Sequence, residues 1–378
     1  MSPGAVATRD ALSVFAGDLF SSMPRVDQRR WAEVYLRGLL LVEGKKSVRR
    51  ISEDILSLPA HQSLQQFINQ SPWEWDRVRA DLARYIGSVE RPQAWVVSRA
   101  AIPKRGERSV GVERRFLHEA GRVVNCQVGL IVSLAVPSAN IPVNWRLLLS
   151  GRWLNDPDLR ASAYIPEGVG SRPEWAGFIE MLDELGSWHG TRAPVVGDLR
   201  QLRGAERLVT ELDERETGFV LEVDRSLESL SGLPRPRGTR PSHPAREALR
   251  CCTASGLGQL GGRGWQGSPA EGSRSQLKVV SSMVDLLGGP GRRTAPRRVR
   301  LLTELSPAGT PTRFWLTNLT GHRIDEALAL SRLAERSKGS LRALEERFGL
   351  RDFEGRSFRG WHHHMTMVSA AYAFDRLA

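Results

Sequence analysis

Three adjacent histidines, His362, His363 and His364, are the residues whose type most readily suggests metal chemistry. They follow Trp361 at the start of a segment predicted to be an amphipathic C-terminal helix. Successive helical residues point in different directions, so three neighbouring imidazoles make a poor chelate for one ion. We therefore expect these side chains to pack within the protein or to contact phosphate, with metal binding as the alternative.

The charge balance favours a polyanionic partner. The 378 residues include 54 Lys and Arg against 42 Asp and Glu, a formal net charge of +12. Arginine forks onto phosphate oxygens and keeps its charge when partly buried. A basic cluster at the entry of a short predicted helix consists of Lys45, Lys46, Arg49 and Arg50. We expect this cluster to contact DNA; the alternatives are a solvated helix face and a coding bias that replaces lysine by arginine throughout.

Several classes of protein are disfavoured. The three cysteines form no CxxC pair, so neither a disulfide scaffold nor a zinc knuckle is implied. The longest apolar run, at 128–136, is too short to cross a bilayer, and the N-terminus lacks a signal-peptide pattern. Neither a P-loop nor a G-x-S-x-G nucleophile motif is supported. We expect a cytoplasmic location.

Hydrophobic periodicity predicts helices in the first 86 residues. Apolar residues recur at helical spacing between residues 27 and 42. The segment Ser-Pro-Trp-Glu at 71–74 matches a capping box with proline at the first helical position, which predicts that a helix starts there. Its buried face would include Trp75, Val78 and Leu82.

From residue 94 the apolar period changes to two. The predicted elements are strands at 94–101, 124–134 and 142–149, a helix at 173–185, a strand at 194–198, a helix at about 201–214 and a strand at 219–223. This is the element order of an RNase H-like core. Short strands between 276 and 319 predict a β-rich segment, and helices resume near residue 325.

The predicted fold is therefore α/β: an RNase H-like mixed sheet with an N-terminal helical domain and a β-rich insertion. The predicted domains are a helical DNA-binding domain at 1–90, the first part of the core at 91–228, the insertion at 229–322, and C-terminal helices that complete the core at 323–378.

Several ordered segments carry a family resemblance. They include Ile102-Pro-Lys-Arg-Gly-Glu-Arg-Ser-Val-Gly-Val112, Phe314-Trp-Leu-Thr-Asn-Leu319 and Gly349-Leu-Arg-Asp-Phe-Glu-Gly-Arg-Ser-Phe-Arg-Gly-Trp-His-His-His364. With these segments the chain resembles bacterial insertion-sequence transposases of the DDE-superfamily endonuclease type, related to the cut-and-paste group with a β insertion in the RNase H-like core. The resemblance covers nearly the whole chain.

The resemblance implies two-metal phosphodiester hydrolysis and strand transfer on element-end DNA, with Mg²⁺ or Mn²⁺ held by three carboxylates. The second acid matches Asp198, for which an ordinary helix-capping aspartate is the alternative. The first acid falls at Ser98 or Arg99, on the strand before the Pro-Lys-x-Gly turn. Neither side chain ligates a cation as a carboxylate does, so the implied metal triad is incomplete.

The position of the third acid is unsettled. The family pattern places it roughly eleven residues before Gly349, where this chain has Lys338. Glu335, Glu345 and Glu346 are the available substitutes, and we assign Glu345 and Glu346 to the catalytic site. The alternative for these two residues is a pair of solvent-facing helix charges.

The resemblance also implies DNA contacts near the catalytic edge of the core. Lys104, Arg105, Arg356 and Arg359 would hold phosphates there, whether or not metal binds. The implied protein is a transposase acting on double-stranded DNA at element ends, nucleoid-associated and homodimeric, with no membrane contact. The alternatives are a catalytically inactive, domesticated DNA-binding or regulatory descendant and, more remotely, an enzyme with different chemistry in the same cleft.

Overall fold

The computed structural model describes residues 3–56, 60–117, 121–190, 192–224, 278–286 and 297–378. The chain divides into two compact units, one made of Met1–Thr191 and Arg336–Ala378 and the other of Arg192–Glu335. The first unit is therefore built from two chain segments separated by the whole of the second. The domain boundaries at residues 90, 228 and 322 stay a prediction.

Helices form the N-terminal part of the first unit. They are α1 (Pro3–Leu19), α2 (Val26–Leu41), α3 (Val48–Ile51) with a following π-helical turn (Ser52–Leu56), α4 (His61–Asn69) and α5 (Trp75–Val89). The apolar positions at helical spacing face the core, including Tyr35 and Leu39 on α2 and Val78 and Leu82 on α5. The predicted helical character of this region is confirmed.

The predicted start of α5 is wrong. The sequence places the N-cap at Ser71, but the helix begins at Trp75 and its N-cap residue is Glu74. The Ser71 hydroxyl instead accepts a hydrogen bond from Gln28 Nε2 at 3.0 Å. A tertiary contact with α2 thus takes the hydroxyl that would otherwise cap the helix.

Antiparallel strands follow in the same unit: β1 (Ala94–Pro103), β2 (Glu113–Leu117), β3 (Arg122–Ala135) and β4 (Asn140–Leu147). The long strand β3 pairs with each of the other three, and Ala94 lies opposite Ala135 in the β1–β3 register. Strands β1, β3 and β4 confirm the predictions, whereas β2 was not predicted. Short helices α6 (Gly151–Asn155) and α7 (Pro157–Ser162) then lead to α8 (Glu174–His189).

The second unit contains a mixed sheet. Its elements are β5 (Val195–Asp198), α9 (Ala205–Glu214), β6 (Phe219–Val223), β7 (Lys278–Leu286), β8 (Arg297–Leu305) and β9 (Pro311–Thr317). Strands β5 and β6 are parallel, as expected when a helix connects them, and the remaining neighbours are antiparallel in the order β5-β6-β9-β8-β7. The predicted α/β class with a mixed sheet is confirmed.

Two long helices, α10 (Ile324–Arg347) and α11 (Phe358–Leu377), close the chain. Helix α11 lies against α2, α4, α5 and β4, and it is buried all round from Gly360 to Phe374. The predicted amphipathic character of this helix is wrong, because a helix enclosed by other elements has no solvent face. Among the described residues, no helix has the length and apolar character needed to span a membrane.

Candidate functional site

Asp198 lies at the end of β5, where its carboxylate is bound by an arginine two residues later. Arg200 Nε lies 2.9 Å from Oδ1, Arg200 Nη2 lies 2.5 Å from Oδ2, and the Arg200 backbone N–H also donates to Oδ1. This is the bidentate geometry in which a guanidinium and a carboxylate match best. The predicted second acid is therefore paired with a fixed positive charge.

A second carboxylate, Glu222, lies beside Asp198 in the parallel β5–β6 register. Glu222 is 1% exposed and accepts two hydrogen bonds from Arg313, at 2.9 and 2.7 Å, while Arg200 Nε lies 3.2 Å from its Oε1. The hydrogen bond with Glu222 raises the pKa of Arg313. We call Asp198, Arg200, Glu222 and Arg313 the guanidinium–carboxylate cluster.

The donor set of this cluster does not fit a divalent ion. Both oxygens of Asp198 and both oxygens of Glu222 accept hydrogen bonds from guanidinium groups. A metal would have to displace Arg200 and overcome the repulsion of two positive charges. Across the described ranges of the chain, no group of three His, Cys, Asp or Glu side chains is arranged to hold a metal ion.

Ser98 and Arg99 lie within β1 of the first unit, opposite Ile131 and Leu130 of β3. Arg99 Nη1 donates to Glu174 Oε2 at 2.9 Å, and both side chains are partly buried. The position that the family pattern gives to an acid thus carries a positive side chain with an acidic partner on α8. No carboxylate is contributed by residues 98 and 99.

Glu345 and Glu346, the predicted substitutes for the third acid, lie near the C-terminal end of α10. Each forms a local ion pair, Glu345 with Arg351 and Glu346 with Arg342. The Glu346 side chain is 58% exposed. Glu346 has the contact of an ordinary surface charge, whereas the Glu345 side chain is half-buried. A catalytic role for either residue stays a prediction. Glu335, the other substitute, forms an ion pair with Arg313 in the second unit.

All three lysines that were predicted to bind phosphate contact a loop of the protein instead. This C-terminal loop, residues 349–355, lies between α10 and α11. Lys45 forms an ion pair with Glu354. The Lys46 backbone N–H donates to Asp352 Oδ2 at 2.8 Å. The Lys104 ammonium donates to the Arg351 and Phe353 carbonyl oxygens at 3.1 and 2.7 Å.

Two of these lysines are not on the open surface, since Lys46 is buried and Lys104 is half-buried. Lys46 is 6% exposed, and its ammonium donates to the Val42 carbonyl oxygen. Burial lowers the pKa of Lys104 to about 8 and also lowers the pKa of Lys46. Their ammonium groups serve the C-terminal loop and the end of α2, so a direct contact with DNA phosphate is less favourable than for a surface lysine.

The predicted arginines differ from Lys46 and Lys104, because they lie on the surface. Arg49, Arg50, Arg105, Arg356 and Arg359 are all exposed. Arg49 forms an ion pair with Glu53 at 2.8 Å, and Arg359 lies 3.5 Å from the Gln70 carbonyl oxygen. Exposed guanidinium groups on the first unit are therefore the side chains best placed for phosphate contact.

The three histidines face three different sets of partners inside the first unit. His363 is fully buried, with Nδ1 at 2.9 Å from the Ile68 carbonyl oxygen and Nε2 at 3.0 Å from that of Trp73. Burial lowers the pKa of His363 to about 3. A neutral imidazole has one N–H, so it donates to only one of these two carbonyl groups.

His364 completes the hold on the C-terminal loop. Its Nε2 lies 3.0 Å from the Gly349 carbonyl oxygen, and its Nδ1 lies 2.9 Å from the Tyr35 hydroxyl. Donation from Nε2–H to Gly349 and acceptance from Tyr35 satisfy a neutral ring. Packing, the expected role of the histidine run, is what the contacts show. Both ring nitrogens of His363 and of His364 have partners within the protein, so neither ring has a nitrogen left for phosphate.

Sequence reasoning missed the arginines that organise both units. Arg200 and Arg313 bind the carboxylates of the second unit, and Arg79 is 1% exposed in the core of the first. One local signal was available: Arg200 follows the acid at the strand end by two residues. Arg79 occupies a helical position next to the apolar residue Val78, where a charged residue contradicts the expected pattern.

Comparisons with known proteins place the chain in a family. The family model described as "DDE superfamily endonuclease" matches residues 18–251. A cryo-EM structure of the piggyBac transposase synaptic complex with hairpin DNA is similar over 95% of this chain, with a TM-score of 0.44 and 10% sequence identity. That alignment covers 64% of the piggyBac chain, so the present chain spans less than two thirds of that protein. No curated protein matches the sequence. Since the family model covers more than half of its residues, the chain belongs to the DDE superfamily endonuclease family.

Proposed function

We propose that the chain is a transposase-like protein that binds double-stranded DNA at element ends and does not cut it by the two-metal reaction. DNA binding is supported by the family match and by the net charge of +12. The exposed arginines of the first unit, including Arg105 and Arg356, supply guanidinium groups for phosphate oxygens.

The absence of two-metal cleavage is proposed because Asp198 and Arg200 form a bidentate pair. A catalytic carboxylate must offer its oxygens to a hard cation. Asp198 offers them to a guanidinium, and the position of the first acid has Ser98 and Arg99 in place of an aspartate. This favours the inactive, domesticated DNA-binding or regulatory descendant.

The family match favours one other function. In this second candidate the chain is an active nuclease and strand transferase, with Mg²⁺ or Mn²⁺ bound by Asp198 and with Glu345 and Glu346 as the remaining acids. Arg200 would then have to leave Asp198 when the ion binds. A homodimer on paired DNA ends and association with the nucleoid in the cytoplasm accompany either candidate.

A binding and cleavage experiment separates the two candidates. A duplex carrying the inverted repeats that flank the coding sequence is incubated with the protein in Mg²⁺ or Mn²⁺, and both the bound fraction and strand breaks are measured. We expect salt-sensitive binding, no cleavage, and the same affinity for Asp198→Ala. Metal-dependent cleavage that Asp198→Ala abolishes would establish the nuclease. Absence of binding at low salt would contradict both candidates.

The oligomeric state is tested separately. Light scattering on the protein alone and with the inverted-repeat duplex should give a dimer mass, at least in the complex. A complex of one protein chain per duplex at every ratio would contradict the proposed dimer.

A further inference from the structure

A cavity of about 300 Å³ lies within the first unit, and no residue of the guanidinium–carboxylate cluster contributes to it. Its walls come from α5, β4, α8, α11 and the segment before α8. Four aromatic rings contribute to these walls, those of Trp75, Trp145, Phe358 and His362. The volume is at the lower end of the range for small-molecule sites, about 300–1,000 Å³.

The charged residues of the cavity wall neutralise one another. Arg146 forms ion pairs with Glu180 and Glu184, and Arg172 also pairs with Glu180. Asp76 lies 3.6 Å from Arg79. A charged ligand would have to break one of these pairs, so the wall favours a neutral molecule.

Arg79 has no donor left for a ligand. Its Nε donates to Thr366, its Nη1 to the Asn144 side chain and the Trp145 carbonyl group, and its Nη2 to Nδ1 and the carbonyl oxygen of His362. These contacts use all five N–H groups of the guanidinium. They also fix the tautomer of His362, because a guanidinium only donates and His362 Nδ1 must therefore accept.

His362 consequently carries its proton on Nε2. Burial and the neighbouring Arg79 hold the pKa of His362 well below 6.5, so the ring is neutral near pH 7. Its Nε2 is buried and has no hydrogen-bond partner among the described residues. A buried donor without an acceptor is costly, and the cavity that His362 lines is where an acceptor could enter.

We propose that this cavity binds a neutral, planar heteroaromatic ring of the size of a nucleobase, which stacks on the aromatic wall and accepts the Nε2–H of His362. Trp75 is half-buried and stacks on the His362 ring, with ring centroids 4.8 Å apart and planes 16° from parallel. Because Nε2 is itself buried, entry of the ligand requires the rings around His362 to shift. The ligand is either a free base or nucleoside, or an unpaired base of a DNA strand.

Calorimetric titration with adenine tests the site in the full-length protein. The wild-type chain should bind adenine at one site, and His362→Phe should weaken binding about tenfold by removing the hydrogen bond. Trp75→Ala should weaken it at least about fivefold by removing the stacking surface. Trp31→Ala is the matched control, since this half-buried tryptophan lies outside the cavity wall, and it should leave the affinity unchanged.

If His362→Phe does not fold, Trp75→Ala still tests the proposal, because Trp75 is only half-buried whereas His362 is buried. No heat of binding with the wild-type protein would overturn the proposal. Equal weakening by Trp75→Ala and Trp31→Ala would overturn it as well.

Competition identifies the source of the ring. Displacement of adenine by a duplex with one unpaired adenine, and not by the fully paired duplex, would assign the site to a DNA base. Displacement by adenosine alone would assign it to a free nucleoside. If neither adenosine nor the duplex with the unpaired adenine displaces adenine, the proposed nucleobase chemistry is wrong.

Discussion

The imidazole of His363 lies flat against the indole of Trp73, with ring centroids 3.7 Å apart and ring planes 12° from parallel. The histidine comes from α11 and the tryptophan from the segment before α5, so this stack joins the end of the chain to its N-terminal helices. His363 has no solvent exposure. A charged imidazolium would lose its hydration at this position, which makes the stack sensitive to pH.

The first prediction concerns the pH dependence of stability. The pKa of His363 is about 3 in the folded protein, against an ordinary value of 6.5. Between these values the unfolded chain binds the proton and the folded chain does not, so the free energy of unfolding falls as the pH falls below 6.5. From pH 7 to pH 5 we expect a loss of about 2 kcal/mol from this residue. His362 and His364 are buried as well, so the part due to His363 is the difference between wild-type protein and His363→Gln in urea unfolding at the two pH values.

The matched variants are His363→Gln and His61→Gln. His363→Gln should lose stability at pH 7 and show a smaller difference between pH 7 and pH 5. His61 is exposed, so its replacement should leave both stability and pH dependence unchanged. An unaltered pH difference in His363→Gln would show that this ring does not carry the effect.

The second prediction concerns metal binding at Asp198. Arg200→Ala removes the guanidinium from both Asp198 oxygens and leaves Asp198 beside Glu222. The variant should gain a weak Mn²⁺ site, detected by electron paramagnetic resonance, and Mn²⁺ should raise its Tm by a few degrees. Tenfold excess over Kd contributes about 1.4 kcal/mol to the free energy of unfolding.

Wild-type protein and Arg203→Ala should show neither signal, because both keep Arg200 on the two Asp198 oxygens. Arg203 is the matched control because it is an exposed arginine in the same segment. Mn²⁺ binding by the wild-type protein that Asp198→Ala removes would favour the nuclease instead.

The third prediction separates DNA-binding arginines from structural lysines. Arg105→Ala and Arg356→Ala should each weaken DNA binding and reduce the slope of log K against log salt by about 1, because each removes one phosphate contact. Lys46→Met should instead lower Tm, because it removes a buried contact within the protein. The folded Lys46→Met protein should bind DNA with the wild-type slope of log K against log salt. Electrophoretic mobility shifts at four salt concentrations, with thermal melts, provide both readouts. An equal change of slope in all three variants would contradict the assignment of Lys46 to the C-terminal loop.

The fourth prediction concerns the close approach of Lys46 to Gly349. Gly349 has φ of +72°, and a Cβ there would lie 2.7 Å from Lys46 Cγ and 2.9 Å from Lys46 Cβ. Gly349→Ala should therefore be strongly destabilising. Gly106→Ala is the control, with φ of +78° and no atom within 4 Å of the added carbon, so it experiences only the backbone strain. Thermal melts of both variants measure the difference, and equal losses would show that the Lys46 contact is not the cause.

The strands with strong apolar alternation could be predicted from the sequence, because burial of one or both faces selects their residues directly. Strands β1 and β3 are of this kind, and β6 is a short apolar strand buried along its whole length. Strand β2 was missed, since its five residues include three charged ones and its side chains are half-buried or exposed. Its position depends on pairing with β3, and no local pattern records that pairing.

The candidate site was less predictable than the fold. Asp198 could be recognised because it ends an apolar strand. Glu222 and Arg313 could not be connected to it, because they come from different strands and meet only through the β5–β6–β9 pairing. The lysines of the first unit show a related difficulty. A basic residue has the same appearance in sequence whether it contacts solvent or, as with Lys104, backbone carbonyl groups of a distant loop.

The discontinuous first unit has a consequence for synthesis of the protein. Helix α11 supplies the centre of this unit, yet the ribosome adds it only after the whole of the second unit. Helices α2, α4 and α5 therefore leave the ribosome with the apolar surfaces that face α11 uncovered, and they remain so while the whole second unit is translated. Contacts between such distant segments form slowly, and exposed apolar surface promotes aggregation in the meantime. A chain truncated before residue 358 would keep that surface exposed permanently and would become a substrate for chaperones and proteases.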